Sequence, residues 1–341
     1  MTRNRPAPRS GRSVRPAALV ALLAALHSAG LGAGPVRDYR AFDGVATSKR
    51  GGVKLIVLRT FSLGGKPRVL ALDPATLRTA VLAADRFVLE AAPREAALRQ
   101  FGPTAYSGAL RDALANSGKT QNAGLTNLPA SPPGVSLTVD LCPSRKPLDR
   151  RLFEALVREF GREEKPVPVA VAVTGIWMEQ HEADLAYIKK LEKAGHIRVT
   201  WINHSYHHRW DRSLPLEHNF LLEKGTDVAA EVLRTEAAMI ERGLTPSIFF
   251  RFPGLVSDRE LALVVESFGL VPVGTDAWLA KNQWPKEGSI VLVHANGNEP
   301  IGVSRFLELV RRERESILGG RWLLLDLRDA VVRQEKAGDQ K

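Results

Sequence analysis

The ten residues from Trp201 to Trp210 include one Asn, three His and a Tyr, five side chains able to coordinate a metal or carry a proton. His204 and His208 stand four apart, a spacing that on a helical turn brings two imidazoles to one side. Neutral ring nitrogens so placed can bind one divalent cation at about 2.0–2.1 Å. Ser205 is suited to fixing a turn by hydrogen-bonding nearby backbone. Two histidines alone are more often a satisfied polar loop than a metal site, because a site needs a third or fourth ligand. Other reactive residues alter that balance: Asp140, Arg251, Asp276 and His294 each close a short apolar run. Carboxylates and imidazoles are the groups that move protons in hydrolysis.

The elements that must carry these residues alternate regularly from Ser136 onward. Apolar runs at 135–139, 167–173, 197–202 and 247–252 are followed by helical patterns at 150–160, 182–193, 226–242 and 259–268. Further apolar runs at 271–274 and 290–293, a helix from Ser304 to about Ile317 and a last run at 322–327 complete the series. Such alternation predicts an α/β fold of parallel strands with helices outside, as an open sheet or a barrel. In either, chemistry collects on loops at the carboxyl ends of strands. All the residues singled out lie at such ends, which scattered polar loops explain poorly.

Residues 34–116 read as a separate, small α+β region without a chemical constellation. Strands are expected at 53–58, 68–72 and 79–83, with Gly64-Gly65 as a turn and helices from Pro93 and near 109–115. The Asn-, Gly-, Ser- and Pro-rich stretch 117–135 reads as a linker to a catalytic domain at 136–332, and 333–341 as a polar tail. Residues 1–33 have the order of a secretory signal: five Arg and no acid, an apolar run at 17–26, then small residues to Ala33. This predicts a periplasmic or secreted protein with no stable membrane span after cleavage; an uncleaved anchor is the alternative. Removing those five Arg takes the formal charge from +11 to +6. A basic exported chain favours anionic polysaccharide or lipid surfaces, and the absence of a recognisable nucleic-acid motif argues against nucleic acid as partner. Cys142 is the single cysteine, so no internal disulfide forms.

In chain order the strand ends read Leu137-Thr138-Val139-Asp140-Leu141-Cys142-Pro143, His204-Ser205-Tyr206-His207-His208, Arg251-Phe252-Pro253-Gly254, Asp276-Ala277-Trp278 and Leu292-Val293-His294. The series resembles the polysaccharide deacetylases with a NodB-type homology domain. Their five motifs run Thr-Phe-Asp-Asp-Gly, His-Ser/Thr-x-x-His, Arg-x-Pro, Asp-x-Trp and Leu-x-His. The resemblance covers roughly Ser136 to Leu327 and implies a distorted (β/α) barrel that hydrolyses the N-acetyl groups of a polysaccharide. By that resemblance Asp140 is the base that deprotonates water and Arg251 its partner. His294 is the acid that protonates the leaving amine, with Asp276 holding its ring. His204 and His208 hold a divalent metal, zinc in the first instance, that polarises the acetyl carbonyl. The Gly254 backbone N–H is the oxyanion donor, and Trp278 and Tyr206 contact substrate, Trp278 lining the acetyl pocket.

One departure matters. Leu141 occupies the position of the family's second Asp, the carboxylate that completes the metal's three protein ligands. Three outcomes follow: two histidines with waters or another carboxylate, a thiolate from Cys142 one residue further on, or no metal and little activity. The leading expectation is therefore an exported, metal-assisted deacetylase. The alternative is a carbohydrate-binding protein on a deacetylase fold, and a hydrolase of a non-sugar amide or ester keeps the same residues.

Overall fold

The computed structural model describes residues 34–338; the expected signal segment 1–33 lies outside them. The amino-terminal region is a five-stranded antiparallel sheet of β1 (Val36–Ser48), β2 (Lys54–Leu63), β3 (Lys66–Leu72), β4 (Thr79–Ala83) and β5 (Phe87–Ala91), in the order β4-β3-β2-β1-β5. Three of these strands are legible as apolar runs. The other two are not: β1 shifts register between Arg37 and Arg40 and between Ala41 and Gly44. Each such irregularity resets which side chains face the core, so period-two alternation is lost. Gly44 is required there, since a Cβ would lie 2.2 Å from the Glu90 carbonyl oxygen across the pair to β5.

The second sheet is parallel: β6 (Gly134–Leu141), β7 (Val167–Val173), β8 (Ile197–Asn203), β9 (Pro246–Phe250), β10 (Val271–Pro272), β11 (Ala277–Trp278), β12 (Ile290–His294) and β13 (Leu323–Leu324). Its order is β10-β9-β8-β7-β6-β12-β11, with β13 beside the start of β6. The strands are buried on both faces, which is why they read as continuous apolar runs. Val135, Leu137, Val139 and Leu141 on one face of β6 join Leu152, Phe153, Trp177 and Phe306 in the layer beneath the outer helices. The other face carries Ser136, Thr138 and Asp140, all buried.

The sheet curls into an incomplete barrel. Residues 273–276 run directly from edge strand β10 to the opposite edge strand β11. The stretch expected as a linker bridges the same gap. Leu125 N donates to Pro272 O and Gly274 N to Leu125 O, while Leu128 N donates to Gly288 O and Ile290 N to Thr126 O. The side chain of Asn122 bonds both backbone groups of Thr275. This segment is therefore a structural stave, made irregular by its task of pairing with two strands at once. Residues 333–338 of the expected polar tail form the end of the Leu327–Gly338 helix.

The two sheets share a core: Ile56, Leu58 and Leu72 pack with Tyr106, Phe249, Val271 and Val273. Across this junction the fully buried Arg59 makes a two-pronged pair with Glu236 of the Val228–Glu241 helix, at 2.6 and 2.9 Å. Tyr39 donates to the same carboxylate at 2.9 Å. The planar guanidinium matches a carboxylate in this geometry, and the third donor occupies a remaining lone pair.

Candidate active site

The inner face of the barrel brings the reactive residues together at the carboxyl ends of its strands. Asp140 and His294 lie directly side by side on β6 and β12. Thr138 and Asp140 share the inner face by the two-residue period of a strand. Arg251, at the end of β9, donates from Nη2 to Thr138 Oγ1 at 2.9 Å and places Nη1 3.7 Å from Asp140 Oδ2. Burial pulls the Arg251 pKa below its ordinary value, with Asp140 opposing that shift.

The histidine loop is not helical. Ser205 and His208 both have left-handed backbone, at φ +66° and +49°, and these reversals, not a helical turn, bring the two rings within 4.8 Å. Such backbone costs a residue with a Cβ of order 1–3 kcal/mol and persists only where its surroundings impose it. Here the imposition comes from other residues than Ser205, whose Oγ has no partner among the described residues. Asn203 Oδ1 accepts the Ser205 N–H at 3.0 Å. Glu231 accepts the backbone N–H groups of Tyr206 and His207 at 2.8 and 2.9 Å and meets the His207 ring at 2.5 Å.

His204 is buried, and its Nδ1 lies 2.8 Å from the Arg251 carbonyl oxygen. A carbonyl can only accept, so Nδ1 carries the hydrogen and Nε2 is left with a lone pair. Burial brings the His204 pKa down to about 4 against the opposing pull of Asp140, keeping the ring neutral at physiological pH. Its Nε2 faces Cys142 Sγ at 3.4 Å and Asp140 Oδ2 at 3.7 Å. Cys142, His204 and His208 form a group whose ligand atoms all lie within 4.8 Å of one another and which could hold a metal ion. Burial raises the Cys142 thiol, but the neighbouring His208 and His294 rings outweigh it and bring it to about 7. Leu141, by contrast, is fully buried on the opposite face.

His294 is held by a different residue from the one expected. Its Nδ1 lies 2.7 Å from Glu299 Oε2, off the line of a straight N–H bond. Burial lowers the His294 pKa, yet Cys142, Glu299 and Asp140 together carry it well above the ordinary value. Asp276 instead accepts from Asn127 Nδ2 at 3.0 Å and from the Ile290 N–H at 3.2 Å, fastening the barrel's gap. The expected Asp276–His294 contact is thus replaced by Glu299, which the sequence signals only as a carboxylate at the start of the Pro300–Arg312 helix.

Trp278 packs beside the His294 and Glu299 pair. Its ring packs 5.9 Å from that of His294, and its Nε1 donates to Glu299 Oε2 at 2.8 Å. Gly254 has φ +60°, and a Cβ there would meet the Phe220 ring at 2.5 Å. Phe220 also sets its ring edge-on to His208 at 5.5 Å. Tyr206 is tied into the scaffold. Its hydroxyl bonds Glu179, its ring carries the Arg234 guanidinium at 4.1 Å, and a Cβ on Gly175 would strike that ring.

Asp140 Oδ1, Arg251 Nη1 and His208 Nε2 are buried without a hydrogen-bond partner among the described residues. Buried polar atoms are nearly always paired. Three orphans of mixed sign beside a neutral histidine and a thiol fit a site that receives an ion and a polar substrate.

No protein-family model matches the sequence. Among solved structures, the chain is similar to a family 4 carbohydrate esterase from Bacillus anthracis, at 18% identity over 67% of this chain and 93% of that one, with a TM-score of 0.42. It is similar to PdaA of Bacillus subtilis, a family 4 carbohydrate esterase, at 16% identity over 64% and 94%, with a TM-score of 0.44. A third likeness is to a CE4 family pseudoenzyme from Bacillus anthracis, at 14% identity over 58% and 65%, with a TM-score of 0.39. At these identities and scores the architecture rests on the strand order and registers, and the chemistry on the side chains.

Proposed function

We propose that this chain is an exported hydrolase that removes N-acetyl groups from an envelope or extracellular polysaccharide. The observation that carries the reading is the cluster of orphaned buried atoms on Asp140, Arg251 and His208, gathered around neutral His204 and beside His294. Amide hydrolysis needs a deprotonated water, a stabilised oxyanion and a protonated leaving amine. Asp140 takes the proton of the attacking water, and Arg251 orients its carboxylate. His294 gives a proton to the amine nitrogen as the C–N bond breaks, releasing acetate and a free amino sugar. Glu299 holds that imidazole, and Trp278 walls the acetyl group. The Gly254 N–H is assigned to the oxyanion.

His204 and His208 would hold a divalent ion, which when bound would supply Lewis-acid polarisation of the acetyl carbonyl. The neutral His204 ring and the unpartnered His208 Nε2 fit that task. The basic sequence, +6 after residues 1–33, suits an anionic wall polymer. No helix among the described residues is long and apolar enough to cross a membrane.

The test is acetate release from N-acetylglucosamine oligomers and wall glycans by the zinc-loaded protein and its Asp140→Asn variant. The wild type is expected to release acetate and the variant to lose about 10²–10⁴-fold in turnover with its melting temperature kept. Acetate release by Asp140→Asn at the wild-type rate removes Asp140 from the role of base. Glycan binding without release by the wild type establishes the binding-protein alternative.

A further inference from the structure

We infer that Cys142 Sγ is the third protein ligand of this site, giving a Cys-His-His set that selects a thiophilic ion of the zinc class over Mg²⁺ or Ca²⁺. The inference deepens the proposed function and rests on it for the site's purpose, but its geometry stands independently.

Strand parity is the first argument. Successive side chains of β6 alternate faces, so Asp140 points inward and Leu141, the last residue of the strand, points into the helix-covered layer with Leu148 and Trp177; Cys142, one residue past the strand end, turns its Sγ to within 3.4 Å of His204 Nε2. A carboxylate at position 141 would therefore face away from the histidines in this chain, whereas a donor at 142 faces them. The turn after β6 is held in that orientation from two sides. Asn296 Nδ2 donates to Cys142 O at 2.8 Å, and Asn298 Nδ2 to Pro143 O at 3.3 Å.

The donor geometry is the second argument. Bonds of about 2.3 Å to sulfur and 2.0–2.1 Å to nitrogen, spread tetrahedrally, leave ligand atoms roughly 3.3–3.7 Å apart. Cys142 Sγ and His204 Nε2 are 3.4 Å apart, and the widest separation in the three-residue group is within 4.8 Å. His204 is locked from behind by the Arg251 carbonyl, the outer-shell arrangement that fixes a ligating imidazole. A simple thiol–imidazole hydrogen bond between Cys142 and His204 accounts for the 3.4 Å contact. It leaves His208 Nε2 unpartnered, together with Asp140 Oδ1 on a residue only 2% exposed. Three protein ligands with the fourth position open is the pattern of a catalytic zinc site. A thiolate in the set disfavours hard, oxygen-seeking cations.

The test uses the full chain, stripped of metal and titrated with Co²⁺ as a visible substitute for zinc. The wild type is expected to bind one equivalent, to develop the near-ultraviolet sulfur-to-cobalt charge-transfer band, and to lose it on adding Zn²⁺ but not excess Mg²⁺ or Ca²⁺. Cys142→Ala and Cys142→Ser, checked for an unchanged melting profile, are both expected to lack the band and bind Co²⁺ at least about tenfold more weakly. A band that persists in either variant, or a wild type without it, overturns the assignment. So does alkylation of Cys142 by iodoacetamide at one rate with and without zinc, the behaviour of a free nucleophile. A wild type that shows the band yet releases no acetate from any glycan supports the ligand set and defeats the proposed hydrolysis.

Discussion

At His294 the usefulness of one ring nitrogen depends on what holds the other. Glu299 approaches Nδ1 at 2.7 Å and is itself anchored by the Trp278 indole at 2.8 Å. Burial raises the Glu299 pKa, but His294, Trp278 and Lys281 outweigh it, so the carboxylate stays charged opposite the ring. Asp276 has no such contact and ties Asn127 to the start of β12. Glu299→Gln should therefore lower kcat by roughly 10–100-fold, the usual cost of losing an orienting carboxylate. Asp276→Asn should cost less in kcat and more in thermal stability. Steady-state acetate release and melting curves on both variants check the ordering, and the reverse ordering returns the orienting role to Asp276. The family resemblance implies Asp276 as the carboxylate that holds His294, and the structure places Glu299 there instead. Asp276 and Glu299 both sit within reach of the same strand end, and only the three-dimensional path of residues 273–276 separates them.

At the scale of the element, strand alternation decides which residues can share a cavity. Motif order alone puts position 141 in the site; the pleat of β6 puts it in the core. Leu141→Asp should therefore bury an unpaired carboxylate among Leu148, Trp177 and their neighbours, destabilising by several kcal/mol and adding nothing to zinc affinity. Chemical denaturation alongside zinc titration measures both, and a gain in zinc affinity would place the residue on the inner face instead. The parallel strands were legible because burial on both faces writes them as apolar runs. The histidine loop was not. Its left-handed Ser205 and His208 are held partly by a local bond from the Ser205 N–H to Asn203 and partly by Glu231 on a helix some 25 residues later. For the second part no local spacing rule carries the information.

Across the whole molecule, the amino-terminal sheet and the barrel share a core, Ile56, Leu58 and Leu72 packing with Phe249, Val271 and Val273. The stave at 117–135 closes the barrel, and the Arg59–Glu236 pair lies fully buried between the amino-terminal sheet and the Val228–Glu241 helix. Taking one partner from a buried pair strands the other charge in a poor solvent, at a typical cost of about 3–5 kcal/mol. Glu236→Gln should lower stability by that order and leave a single unfolding transition in which both sheets melt together. Two separate transitions, followed by near- and far-ultraviolet circular dichroism, would show the regions to be independent. This coupling was not readable from composition, because Asn-, Gly- and Pro-rich sequence serves equally for a flexible tether and for a segment that must turn often while pairing.

All of this depends on side chains from distant strand ends meeting in one cavity around a cation. Anomalous scattering at the zinc edge from crystals of the zinc-loaded protein tests that most directly. The expected result is a single strong peak about 2.3 Å from Cys142 Sγ and about 2.0–2.1 Å from the imidazoles of His204 and His208, with the Asp140 carboxylate beside its open face. A zinc peak elsewhere on the molecule, with Cys142 turned away from the two rings, would contradict the account.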